Sequence, residues 1–336
     1  MDKVASLRAD ERRDLFRESA ARRGMSPAII EKDFWVCWVL KKLFTDPQLK
    51  DRMVFKGGTT LSKVFGLIDR FSEDIDLVLD WRLLGYGPGM MDPHQAFRSN
   101  TQQDRFNKQI NAKAAEYIAG ELLGRVTGLF TQVTGMIAVV DPKDPHSVNV
   151  SYPAAFAETY LRPEVRLEIG PLASWVPSSP QMIHPYASED FPQVFGDPSC
   201  PVVAIAAERT FWEKATILHQ QAHRTDVMPA RYSRHYYDLY KLARSSVKDL
   251  ALSNHKLLED VVSFKQRFYP SAWARYDLAQ LGSFRLIPNQ AHLVELEKDY
   301  REMAVMVFGE VPAFDAILRT LGALEADINS PGVRAP

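Results

Sequence analysis

The chain has 336 residues, 46% hydrophobic and 25% charged, an ordinary balance for a globular protein and more than one compact core usually fills. With 41 Lys and Arg against 42 Asp and Glu, the formal net charge is −1. That excludes a protein clinging to polyanions over its whole surface, though a local basic face remains compatible with it.

The chain opens with acidic residues, Asp2, Asp10 and Glu11, and has no apolar stretch near the roughly 20 residues of a membrane span. This pattern speaks against a signal peptide and predicts a cytoplasmic protein that does not meet the membrane. Residues 9–24 read as a short amphipathic helix closed by glycine. A stronger helix follows Ser26-Pro27, where a first-turn proline loses no helical hydrogen bond. Its broad apolar face carries Ile29, Ile30, Phe34, Trp35, Trp38, Val39 and Leu40, and it should pack on the sheet that follows.

That sheet is expected to begin at residues 53–55 and stop at Gly57-Gly58. A helix over 59–66 and a strand over 75–79 follow. Residues 81–93 are rich in glycine and proline and read as a loop; 94–123 read as a long polar helix. Further strands are expected at 136–140, 148–152 and 165–169. The proline-rich stretch 177–201 has the composition of a linker or an irregular crossing. Beyond it the pattern predicts helices over 204–219, 232–243, 249–268, 292–307 and 313–326. The expected organisation is an α/β domain over 1–176, a mainly helical domain over 177–329 and a disordered tail over 330–336.

Cys37 and Cys200 stand apart in apolar surroundings without CxxC spacing, as small buried hydrophobes would. His219, His223 and His235 invite a metal reading, but their spacing matches no recognised ligand set.

The chemically informative segment runs from Phe55 to Leu77. Two glycines between a strand and a helix let the backbone approach a phosphate with no Cβ in the way, beside free helix N–H donors. Thr59 adds a hydroxyl, and Lys63 follows one turn on. In Asp74-Ile75-Asp76 the strand period of two puts both carboxylates on one face, where a hard cation bridging phosphates would relieve their repulsion. Alone, a Gly-Gly is an ordinary turn and an Asp-x-Asp an ordinary solvated face. The order strand, Gly-Gly, helix, strand, Asp-x-Asp is far more specific than either part.

At these residues, Lys56 to Leu77, the chain resembles the AbiEii/AbiGii family of nucleotidyltransferase toxins, within the DNA polymerase β-like superfamily. The likeness extends to Glu31-Lys32-Asp33-Phe34-Trp35, to Glu213-Lys214 and to Arg234-His235-Tyr236-Tyr237-Asp238-Leu239-Tyr240, in order over about residues 25–245. The resemblance implies an α+β fold: a minimal polymerase β-like domain, with a mixed sheet flanked by helices, followed by a mainly helical domain. It implies that Gly57 and Gly58 seat a nucleoside triphosphate and that Asp74 and Asp76 bind Mg²⁺, with Mn²⁺ as a substitute. Glu168, on a neighbouring strand, is the candidate third carboxylate, against its plain reading as an exposed strand residue.

Lys214 and Asp238 match a functional lysine and aspartate of the family. The lysine would neutralise phosphate charge as pyrophosphate leaves, and Asp238 would orient it or Arg234, one helical turn away. Unaided by the family, Lys214 reads as a solvated helix residue paired with a carboxylate. The chain departs from the superfamily pattern in a longer stretch between Gly58 and Asp74, and in having glutamate at the third carboxylate position.

The implied function is the toxin of a type IV, AbiE-like toxin–antitoxin system, transferring a nucleoside monophosphate to an acceptor. The tRNA 3′ end is one candidate acceptor, and a cognate antitoxin encoded nearby would be the protein partner. Arg224, Arg231, Arg234, Lys241 and Arg244 form a basic cluster suited either to an RNA backbone or to an ordinary solvated face. A protein or small-molecule acceptor, and a catalytically silent nucleotide-binding module, remain the competing readings.

Overall fold

The computed structural model describes residues 1–87, 99–157 and 161–330. The chain forms two compact units. The first holds residues 1–64 and 72–205; the second holds 65–71 and the chain from Ala206 onward. Among the described residues, no helix is long and apolar enough to cross a membrane.

The first unit is built on a mixed seven-stranded sheet in the order β3-β4-β5-β2-β1-β7-β6. Its strands are β1 (Met53–Lys56), β2 (Asp74–Leu79), β3 (Ile137–Asp141), β4 (Asp144–Ser151), β5 (Glu164–Gly170), β6 (Ser178–Ile183) and β7 (Cys200–Ile205). β2 runs parallel to β5 and antiparallel to β1, and β1 runs parallel to β7. Helices α1 (Asp2–Ala5), α2 (Ala9–Arg23), α3 (Pro27–Thr45), α4 (Gly58–Lys63), α5 (Asn100–Tyr117), α6 (Leu123–Leu129) and α7 (Tyr186–Asp190) complete it.

α3 starts where expected, with the Ser26 side chain accepting the Ala28 amide and Pro27 in the first turn. It packs on β5 and β7, and Trp35 and Trp38 are fully enclosed. Their rings meet edge to face, and Trp35 also stacks on Tyr152. Each such burial contributes about 1.5–3 kcal/mol or more.

Several expected boundaries move. The stretch 177–201 is no linker: it supplies β6, α7 and the first residues of β7, and β7 pairs with β1 beside the centre of the sheet. The sheet unit therefore ends at residue 205, not 176. Proline misleads here because β6 is an edge strand, where Pro180 is tolerated. Ala204 and Ile205, expected to open a helix, instead close β7. The long polar helix is described from Asn100 and continues through a π-turn over Ile118–Leu122 into α6. The expected 81–93 loop opens with a 3-10 turn over Trp81–Leu84; its residues 88–93, the expected start of the polar helix and the tail 331–336 lie outside the described residues.

The second unit is helical, as expected: α8 (Ala207–Ala222), α9 (Ser233–Ala243), α10 (Val247–Leu252), α11 (His255–Phe268), α12 (Leu293–Met303) and α13 (Phe314–Asn329). The helix expected over 249–268 is two helices, because Asn254 caps a fresh start by accepting the Leu257 amide. α9 is the hub, packed by α8, α10, α12 and α13. Asp299 holds its N-terminal end, accepting the amides of Arg231 and Ser233 at 2.5 and 2.8 Å. Residues 65–71 join this unit through Phe71 N–H to Met306 O at 2.9 Å and Phe308 N–H to Asp69 O at 2.6 Å.

Candidate active site

On the sheet, Asp74 and Asp76 lie on one face of β2, both half-buried, with Ile75 between them fully enclosed. The parallel register sets Asp76 beside Glu168 of β5 and Asp74 beside Arg166. On the other side, Lys56 of β1 pairs with Asp76. The three carboxylates proposed from sequence thus belong to two adjacent strands.

Gly57 caps α4 with φ +85°, a left-handed conformation that favours glycine. A Cβ there would lie 1.9 Å from Asp76 Oδ2. No other residue type lets the loop pass the carboxylate this closely. Thr60 donates to Gly57 O at 2.8 Å, closing the turn, and Thr59 donates to Asp74 O at 2.5 Å, tying α4 to the start of β2. Thr59 is fully buried, so its hydroxyl serves the frame rather than a ligand.

Glu168 accepts from Arg166 Nε at 3.1 Å. The same guanidinium reaches Asp144 at 3.0 Å and also Asp141. The Lys143 amide, then Arg166, hold Asp141 down at about 2. Among the described residues, no group of three or more His, Cys, Asp or Glu side chains is arranged to hold a metal ion. The donor chemistry nevertheless fits a hard divalent cation: every candidate ligand is a carboxylate oxygen, two on one strand face and the third in register beside them.

Lys63 is placed elsewhere, against the expectation that it seats phosphate. Its ammonium pairs with Asp33 Oδ1 at 2.7 Å, donates to His184 O at 2.8 Å and lies over the Tyr186 ring. Burial opposes its charge, and Asp33 more than offsets that, so Lys63 sits above the usual lysine range. The whole Glu31-Lys32-Asp33 run is buried. Glu31 accepts the Ala155 and Phe156 amides, and Lys32 pairs with Glu73 at 2.5 Å, one residue before Asp74. Three consecutive charges between the apolar residues Ile29-Ile30 and Phe34-Trp35 were the signal for this frame, since buried charges must be paired.

In the helical unit, Asp238 is fully buried on α9. Arg70 grips it with two hydrogen bonds, Nε to Oδ1 at 2.7 Å and Nη2 to Oδ2 at 2.8 Å. Lys214 of α8 adds Nζ to Oδ2 at 2.9 Å and lies 3.0 Å from His235 Nδ1. Burial works against the Asp238 charge, yet Arg70 and Lys214 hold its carboxyl below the usual range. Lys214 is pushed down by burial, with Asp238 opposing and Arg70 adding to the shift. Sequence reasoning joined Lys214 to Asp238 but named Arg234 where Arg70 stands.

The sequence model described as nucleotidyl transferase AbiEii toxin, type IV TA system, matches residues 38–320. The chain belongs to the AbiEii family of nucleotidyltransferase toxins. No curated protein matches it. MenT4, a nucleotidyltransferase toxin from Mycobacterium tuberculosis H37Rv, is 18% identical, with 95% of this chain and 99% of that one covered and a TM-score of 0.43. JHP933 from Helicobacter pylori is 16% identical, with 90% and 93% covered and a TM-score of 0.44.

This AbiEii protein is therefore a nucleotidyltransferase with a mixed sheet flanked by helices and a mainly helical C-terminal region. Enzymes of this kind use a nucleoside triphosphate with a divalent metal, and the type IV family implies an antitoxin partner. Three members of its basic cluster have partners within the helical unit. Arg224 stacks on Trp273, whereas Lys241 pairs with Asp69 and Arg244 donates to the Tyr240 hydroxyl. Lys241 and Arg244, with Tyr237, Tyr240, Asp69 and Glu310, line a cavity of about 460 Å³. His219 is structural: its Nε2 meets Arg275 O and its Nδ1 accepts the Arg285 amide, both at 3.0 Å.

Proposed function

We propose that the protein transfers a nucleoside monophosphate from an NTP to the 3′ end of an RNA, with tRNA as the first candidate, using Mg²⁺ held by Asp74, Asp76 and Glu168. The observation that carries this reading is the parallel register of Asp76 with Glu168, beside a Gly57 that only glycine can supply. The cation would supply charge neutralisation at the triphosphate and lower the barrier to attack by the acceptor; Mn²⁺ would substitute for it.

Gly57 and Gly58 give the triphosphate room beside the carboxylates, and no Cβ blocks its approach. The acceptor hydroxyl oxygen forms a bond to the α-phosphorus, its proton passing to Glu168, while the bond to the β-phosphate bridging oxygen breaks and pyrophosphate leaves. Within the helical unit, Lys214, held by Asp238, is the proposed cation for a polyphosphate. Lys241 and Arg244, which line the cavity of about 460 Å³, would favour a phosphate-bearing acceptor such as RNA. A cognate antitoxin encoded beside the gene would restrain the activity.

Incubation with each labelled NTP, Mg²⁺ and total RNA tests the proposal, with Asp76→Asn alongside. Label should enter tRNA with the wild type only, fall at least roughly 10²-fold in the variant, vanish with EDTA and return with Mn²⁺. Label in protein would overturn the RNA acceptor. Equal labelling or equal growth arrest by Asp76→Asn would sink the catalytic assignment itself.

A further inference from the structure

Lys214 belongs to a group of four buried or half-buried side chains, only two of which have an assigned role. Arg70 grips both oxygens of Asp238, a planar fork on a carboxylate. Lys214 shares Oδ2 with that fork. Its second partner is His235 Nδ1 at 3.0 Å. An ammonium only donates, so this nitrogen carries the lone pair, the ring is neutral and its proton sits on Nε2. Burial and the charge of Lys214 both press His235 well below the ordinary histidine range, in keeping with that assignment.

Two cations therefore share one carboxylate, and the fourth member is neutral. Two of the three ammonium hydrogens of Lys214 are fixed, one on Asp238 and one on His235. The third has no acceptor among the described residues. A buried cation held this way calls for an anion carrying hydrogen-bond acceptors. Had Asp238 faced Lys214 alone, the two would have closed into a neutral pair.

We infer that Arg70 and His235 are positioning residues that aim the Lys214 ammonium at a polyphosphate and keep Asp238 from neutralising it. The polyphosphate is that of the nucleoside triphosphate, so the inference rests on the function proposed above. Arg70 takes up the Asp238 charge through a fork that lysine cannot reproduce. His235 sets the direction of the amine through an acceptor that is never itself charged.

The test measures binding of inorganic tripolyphosphate and of an α,β-methylene NTP, which binds without transfer, together with KM, kcat and melting temperature. His235→Leu removes the acceptor and should weaken both ligands roughly tenfold, the worth of one hydrogen bond to a charged group. His235→Asn, which places an oxygen near the Nδ1 position, should recover most of the loss. Arg70→Lys keeps the charge but loses the fork, and should also weaken both ligands about tenfold. A folded His235→Leu or Arg70→Lys that binds tripolyphosphate as the wild type does would overturn the inference. So would a variant that lowers melting temperature alone. If the wild type transfers no nucleotide but its tripolyphosphate binding still depends on His235, the function proposal fails while the anion site stands. If transfer is robust and indifferent to both variants, the inference alone fails.

Discussion

Lys63 and Lys214 look alike in the sequence: each sits on a helix beside a motif residue, and each is read as a phosphate ligand. Both are buried and both pair with an aspartate, at 2.7 and 2.9 Å. Their surroundings differ. Lys63 shares Asp33 only with the Tyr186 amide among the described residues and has a backbone carbonyl and an aromatic face besides, so its charge is well met and it is raised above the usual lysine range. Lys214 shares its aspartate with Arg70, leans on a neutral imidazole and is pushed down by burial. A closed ion pair fastens a fold, whereas the role proposed for Lys214 asks for a cation whose partner is shared.

The largest effect should come from opening the closed pair. Asp33→Ala leaves Lys63 buried without its carboxylate and should destabilise the protein by about 3–5 kcal/mol. The double replacement Asp33→Leu with Lys63→Met should recover most of that loss, because a packed apolar pair is often as good as a buried ionic one. Chemical denaturation of the three proteins decides it. If the double variant is no better than the single one, the pair does more than fasten α4 to α3.

Lys214→Met should behave in the opposite way. Asp238 keeps Arg70, so no buried carboxylate is stranded, and melting temperature should change little. Nucleotidyl transfer should fall by roughly 10²–10³-fold, as when one donor to a developing charge is removed. A large loss of stability with near-normal transfer would erase the distinction between the two lysines. Gly57→Ala comes next: its φ of +85° and the 1.9 Å approach to Asp76 Oδ2 both resist a methyl group. The backbone strain should cost about 1–2 kcal/mol, while transfer should drop further because Asp76 itself must move. Melting and transfer assays on one preparation separate the two effects.

Much of this was readable in advance. Glycine and Asp-x-Asp patterns are local, so Gly57, Gly58, Asp74 and Asp76 announce themselves by spacing, and the strand period predicts that the two aspartates share a face. Arg70 does not announce itself: its partner lies 168 residues away, and an arginine in a short loop carries no sign of whom it will meet. Lys63 and Thr59 misled because position after a glycine turn says nothing about which way a side chain faces. Strand β6 was hidden by Pro180, which an edge strand tolerates, and the start of β7 by Pro201 at its second residue.

His219 extends the contrast to a group that stays uncharged. Both its nitrogens are committed, Nε2–H to Arg275 O and Nδ1 to the Arg285 amide. Burial, with His223 adding to it, holds the ring down at about 4, against 6.5 for an ordinary histidine. A second proton would set an N–H against the Arg285 N–H. The unfolded chain takes up a proton as pH falls through 6.5, while the folded one declines it until about 4. This group therefore withdraws stability as pH falls across that window, by no more than about 1.4 kcal/mol per pH unit. Above 6.5 both states are neutral and the effect is absent. Denaturant unfolding at several pH values between 4 and 7 should give a shallower slope in His219→Gln than in the wild type. Equal slopes would mean that the folded protein accepts this proton, and that the imidazole is not locked between its two partners.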